Sequence, residues 1–246
     1  MISAARLESL RNGQAAPPHR MKPAESLSIQ VSGQLAVSAL LQSPNEPRAL
    51  YVLAHGAGAG MAHPFLAAVA DGLAERAIAT LRFNFPSMER GSRRPDTPAV
   101  AHQAVRAAVA LGHAVLPEVP LFAGGRSFGG RMTSQAQALE ALPGVRGLVF
   151  LGFPLHPAGK PSTDRAKHLA EVRIPLLFLQ GTRDELAQVD LLEAVCRELG
   201  AGAALRLFPH ADHSFHVPAR SGLRDADVRD ALLGTMAAWV RTLVDR

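Results

Sequence analysis

The sequence has one cysteine, Cys196, among 246 residues, so no intramolecular disulfide can form. That cysteine stands in the amphipathic run LLEAVCREL and reads as a small apolar side chain of a helix. Lysine is nearly absent, with three (Lys22, Lys160 and Lys167) against 23 arginines, and the basic residues are dispersed along the chain. A formal net charge of +5 therefore forms no basic stripe with interleaved aromatics, and nucleic acid is not expected as a partner. No stretch approaches the ~18 consecutive apolar residues of a membrane span, and the N-terminus lacks the apolar core of a signal peptide. A cytoplasmic protein with no membrane partner is expected. Neither HExxH nor paired CxxC spacing occurs, so no metal and no cofactor is expected.

What the chain does have is apolar material, 48% hydrophobic residues against 19% charged, enough for one sizeable core. Residues 1–24 are polar, hold Pro17 and Pro18, and read as a flexible tail; residues 25–246 read as a single domain. SLSIQV (27–32) and LAVSALL (35–41) flank a link too short for anything but an antiparallel turn. Six further strand candidates follow: RALYVLAH (48–55), IATLRF (78–83), VPLFAG (119–124), RGLVFLG (146–152), IPLLFLQG (174–181) and ALRLFPH (204–210). Between and after them, apolar residues recur at helical spacing in 64–77, 100–115, 132–142, 189–200 and 227–244. This alternation predicts an α/β fold with about eight strands, mostly parallel, and helices on both faces. In such a sheet ligands gather beyond the carboxyl ends of the strands, which directs attention to the residues just after each one.

GRSFG (125–129) follows the fifth strand directly and fits GxSxG, in which glycines clear space for a sharp strand-to-helix turn that lifts a serine over the sheet edge. Ser127 is the serine so placed. A hydroxyl needs a base to take its proton, and the base needs a carboxylate to orient it. Asp184, in LQGTRDE after the seventh strand, and His213, in HADHSFH after the eighth, supply these in the chain order Ser, Asp, His. Glu185 is the alternative acid; His210 lies close to the strand end, His216 further along the loop, and Asp212 next to His213. HGAGAG (55–60) after the third strand lacks the GK[ST] ending of a phosphate loop and reads instead as one side of an oxyanion hole, with donors at the N–H groups of Ala57 and Phe128. His55, Gly56, Gly58, Arg82, Asn84 and Arg126 stand near the same edge as candidate substrate contacts, and with Arg131, Arg165 and His168 also near it the cationic side chains could grip an anionic group. Arg126 has a second reading as an internal brace bonded to loop carbonyls or to Asp96, and Asn84 one as a clasp for the loop after the fourth strand.

From residue 27 onward the chain resembles an α/β hydrolase. More narrowly, HGAGAG with HPF (63–65), LRFNFP (81–86), RRPD (93–96), GGRSFGGR (124–131), QGTRDE (180–185) and DHSFHVP (212–218) resemble a hydrolase-like group. That group holds bacterial proteins, a testis-expressed animal homologue and a subunit of the non-specific lethal chromatin complex. Dienelactone hydrolase-like families share the architecture, usually with cysteine as nucleophile where this chain has Ser127. The resemblance implies a serine hydrolase acting on a small ester or thioester. Its rivals are an interaction protein that keeps the fold with little or no catalysis, and an amidase or peptidase on the same three residues. A homodimer is one oligomeric option. Only about twenty residues separate the sixth and seventh strands, which predicts a minimal cap and an open site.

Overall fold

The computed structural model describes residues 23–92 and 94–245, so most of the expected N-terminal tail, and Arg93 of the RRPD stretch, lie outside the described residues. β1 (Glu25–Ser32) and β2 (Leu35–Gln42) form the expected antiparallel hairpin. β3 (Ala49–Ala54), β4 (Ile78–Phe83), β5 (Leu121–Arg126), β6 (Val145–Leu151), β7 (Leu176–Gly181) and β8 (Ala203–Phe208) run parallel to one another. β2 joins them by pairing antiparallel with β4, giving the order β1-β2-β4-β3-β5-β6-β7-β8. β3, β4 and β7 are buried along their whole length, as strands covered on both faces must be.

The two faces are covered by different helices, and the strand pleat sorts side chains between them. Leu50, Val52 and Ala54 of β3 pack with α3 (Pro98–Val115), α4 (Phe128–Leu139) and α5 (Val189–Leu199). Their neighbours Ala49, Tyr51 and Leu53 pack with α1 (Pro64–Ala74) and α6 (Asp225–Val244). Cys196 is buried in the first cluster. Trp239 of α6 meets Phe122 of β5 edge to face, 6.0 Å between centroids. Among the described residues no helix is long and apolar enough to cross a membrane.

Two local features depart from the expectation. α4 opens at Phe128, four positions before the expected start, because Gly129 sits directly against the end of β3 and Gly130 against β5 and Phe150 of β6. A short helix, α2 (Pro86–Glu89), follows β4, with Pro86 supplying a preset φ in its first turn. Between β6 and β7 the expected minimal cap consists of a 3-10 helix, Asp164–Glu171, with its flanking loops.

Candidate active site

Ser127 occupies the bend between β5 and α4 with φ 49° and ψ −116°, a region that L residues rarely adopt. The turn is possible because two neighbours lack a Cβ. One on Gly125 would collide with the Ala54 carbonyl, and one on Gly129 would lie 2.5 Å from the His55 carbonyl oxygen. The serine side chain does not cap its own helix. Its Oγ lies 2.8 Å from Nε2 of His213 instead.

On its other side the His213 ring places Nδ1 2.7 Å from Oδ2 of Asp184. A carboxylate can only accept, so Nδ1 carries the hydrogen and Nε2 is left with a lone pair for the serine O–H. The Asp184 side chain is fully buried and its oxygens are otherwise occupied: Oδ1 accepts the Leu186 N–H at 2.8 Å, and Oδ2 also accepts from the Gln180 amide. Gln180 in turn accepts the Phe153 N–H, 2.8 Å, so the carboxylate is locked to the ends of β6 and β7. Three residues from three strand ends thus meet in one chain of hydrogen bonds. Glu185, the alternative acid, points to solvent, and His210 is exposed on its own turn.

Gly56 passes beside the nucleophile, and a Cβ there would be 3.7 Å from that of Ser127. Ala57 and Phe128 line the same groove as Ser127. Among the described residues neither the Ala57 N–H nor the Phe128 N–H donates to another group. Phe128 is the first residue of α4, where no intrahelical partner exists, so both donors remain available to an oxyanion. Gly58, at φ 67°, turns the loop at an exposed position.

His55, Arg82 and Asn84, candidate substrate contacts, bond to the scaffold in the structure, Asn84 in the manner of a clasp for the loop after β4. His55 is 2% exposed; its Nε2 accepts the Phe85 N–H at 2.9 Å, so Nδ1 donates to the Gly56 carbonyl at 2.7 Å. Burial holds its pKa below the ordinary value, keeping it neutral as a brace for the loop after β3. Arg82 is 4% exposed and donates to the Met61 carbonyl and to Gln42 Oε1, each at 3.2 Å. Asn84 accepts the Met61 N–H at 2.8 Å and donates to Glu89 at 3.0 Å. All three fasten the loop after β3 to the residues of and after β4, with the Arg82 Nε buried and, among the described residues, unpartnered.

Arg126 follows its bracing reading, with different partners. Its guanidinium donates to Ser214 Oγ at 2.8 Å and lies 5.1 Å over the Phe65 ring, whereas Asp96 pairs with Arg90 at 2.7 Å. The residue before the nucleophile is thereby tied to the residue after His213. Ser214, Phe65 and Gln180 escaped sequence reasoning. Only Gln180 carried a signal, as a polar residue at the end of an otherwise apolar strand.

The His213 loop is held at its far end too. Asp212 Oδ1 accepts the N–H groups of Ser214 and His216 at 2.7 and 3.0 Å, and Asp225 accepts from the Val217 N–H and from His216 Nδ1, each at 2.9 Å. The Asp225 hydrogen bond and charge raise the His216 pKa, and the same bond, with the Val217 N–H, lowers that of Asp225. The contact is thus complete between the ordinary pKa values of the two groups, 3.8 and 6.5. It is lost as pH rises through the raised histidine value or falls through the depressed carboxylate value. An NMR titration should place the His216 midpoint above 6.5, and Asp225→Asn should return it toward 6.5. A midpoint indifferent to Asp225→Asn would show that the pair does not form in solution.

Comparison with known proteins agrees with this architecture. A dienelactone hydrolase from Anabaena variabilis superposes with a TM-score of 0.72 at 20% identity, covering 92% of this chain and 99% of its own. A Xanthomonas campestris protein described as an a/b serine hydrolase without lid gives 0.68 at 22% identity, covering 91% and 98%. The esterase domain of a Rhodothermus marinus protein gives 0.69 at 17% identity, covering 91% and 100%. At these identities the likeness is one of fold. The family described as Alpha/beta hydrolase domain matches residues 47–241, from just before β3 into α6, and the chain belongs to it.

Proposed function

We propose that this protein is a serine hydrolase that cleaves a small ester or thioester through an acyl-enzyme on Ser127. The observation that carries the reading is the unbroken relay Ser127 Oγ–His213 Nε2, 2.8 Å, and His213 Nδ1–Asp184 Oδ2, 2.7 Å, beside two uncommitted N–H donors. Ser127 Oγ bonds to the carbonyl carbon while its proton passes to His213 Nε2. The displaced carbonyl electrons settle on an oxygen held by the N–H groups of Ala57 and Phe128. Collapse of this adduct expels the alkoxide or thiolate, which takes the proton from His213. Water then enters by the same route and releases the acid. Asp184 fixes the ring tautomer and stabilises the imidazolium throughout. The groove of about 420 Å³ beside Ser127 is open to solvent, which suits compact esters. The hydrolase and esterase descriptions of the structural neighbours support the same reaction class. The motifs around the site favour placement in the narrower hydrolase-like group with the testis-expressed and chromatin-complex relatives.

A fluorophosphonate probe tests the reading. The protein should be labelled on one residue, and Ser127→Ala should lose the label. Folded protein that takes no label would favour an interaction protein instead. A second expectation follows from the Arg126 strut: Arg126→Met should lower kcat by about tenfold on neutral and anionic esters alike, because His213 loses part of its positioning. A loss confined to anionic esters would put the guanidinium on substrate.

A further inference from the structure

The groove that contains Ser127 is walled by Ala57, Phe128, Pro95, Pro154, Pro157 and Leu186, and into this apolar setting it admits two charged side chains, Arg131 and Arg165. Arg131 lies one helical turn beyond Ser127 on α4, about 5.4 Å along the axis. Arg165 comes from a neighbouring element, the 3-10 helix between β6 and β7, which is joined to α4 by the Ser134–His168 contact. Among the described residues neither guanidinium forms a salt bridge. The nearest acid in sequence, Asp164, is already paired with Lys167 at 2.6 Å. The Arg131 Nε is buried without a hydrogen-bond partner.

Two like charges in one apolar groove repel, and an anion between them relieves the repulsion and supplies the missing acceptor. Burial, and secondarily the nearby charge of Arg165, lower the Arg131 pKa. Behind them His168, hydrogen-bonded with Ser134 Oγ at 2.8 Å, is held down to about 4 by burial, Arg131 and His102, and so stays neutral near pH 7. Arg82 and Arg126 direct terminal guanidinium nitrogens to Met61, Gln42 and Ser214, although their Nε atoms, like that of Arg131, are buried without a partner among the described residues. Arg131 and Arg165 are the ones that face the groove.

We propose that Arg131 and Arg165 form an anion subsite in the groove of Ser127, so that the ester or thioester cleaved carries a carboxylate or comparable oxyanion a few bonds from its scissile carbonyl. This rests on Ser127 as the nucleophile. Two matched substrate pairs test it. The first, para-nitrophenyl monoadipate against para-nitrophenyl hexanoate, sets the charge on the acyl part. The second, para-carboxyphenyl butyrate against para-carbamoylphenyl butyrate, sets it on the leaving part. In at least one pair the anionic member should have a kcat/KM about tenfold higher, a preference that weakens with added salt. The pair that shows it identifies the part that carries the anion.

Arg131→Gln and Arg165→Gln should each reduce that preference by about tenfold. Arg165 is only half-buried on a short surface helix, so its variant keeps the test valid if Arg131→Gln fails to fold. Equal kcat/KM within both pairs, or a preference that survives Arg165→Gln, overturns the proposal. Binding to Ser127→Ala separates the two readings, since this protein has no nucleophile. Its affinity for the favoured anionic ester should exceed that for the neutral partner by about tenfold and fall in Arg165→Gln. If that affinity difference stands while the unaltered protein shows no turnover, the acyl-transfer reading fails and the subsite holds. If turnover proceeds without it, the subsite fails alone.

Discussion

Replacing His213 by alanine should lower kcat/KM on a short-chain ester by about ten-thousandfold or more, with the folded structure retained. In the proposed reaction the imidazole both takes the serine proton and returns it to the leaving group, so its removal would disable both half-reactions. Structurally little is lost, because the ring is half-buried and its partners are Ser127 and Asp184 alone. Steady-state kinetics together with a circular dichroism spectrum and a melting curve measure both halves of the expectation. A rate near that of the unaltered protein would move the general base to another residue. His216 would not serve, since its ring is engaged with Asp225 on the outer side of the loop.

Gly129→Ala should be among the most destabilising single substitutions in the chain, by about 3 kcal/mol, and should cost activity as well. Its new methyl would lie 2.5 Å from the His55 carbonyl oxygen and 2.6 Å from that of Ala54. Both are backbone atoms of β3 and the loop that follows it, so nothing flexible can yield. α4 would be pushed off the sheet and Phe128 N–H would move with it. Gly234→Ala in α6 is the matched control. It meets nothing within 4 Å, so the helix propensity of alanine should stabilise the protein by up to about 1 kcal/mol. Opposite signs for the same chemical change, read by denaturant unfolding, would establish that close helix–strand approach sets the first value. A mild effect at Gly129 would mean that the elbow has room the structure denies.

Much of the arrangement was legible in the chain. The β4 segment IATLRF and the 64, 189 and 244 helix limits coincide with the expected ones, because apolar periodicity and flanking Gly and Pro act locally. The same local signals placed Ser127, Asp184 and His213 after the ends of β5, β7 and β8. The early start of α4 was hidden because GG is a poor helix sequence, and here packing against β3 outweighs propensity. Arg82 misled for a different reason. In LRF the pleat alternates, and Leu81 and Phe83 enter the core on the α3 face, which sends Arg82 to the other side beneath the loop after β3. Alternation is visible in the sequence, yet which face carries which helix is not.

By itself, then, the sequence determined the order of elements, the parallel sheet and the strand ends where chemistry would gather, since each depends on residues within one or two turns of one another. Only the tertiary structure decided which polar groups at that edge are spent on the scaffold and which remain turned toward the groove. Those choices are made by partners far away in the chain, 88 positions for Arg126 and Ser214 and 40 for Arg82 and Gln42. A side chain's direction follows from the pleat, the helix turn and the nearest unsatisfied acceptor, and the last of these exists only once the chain has folded.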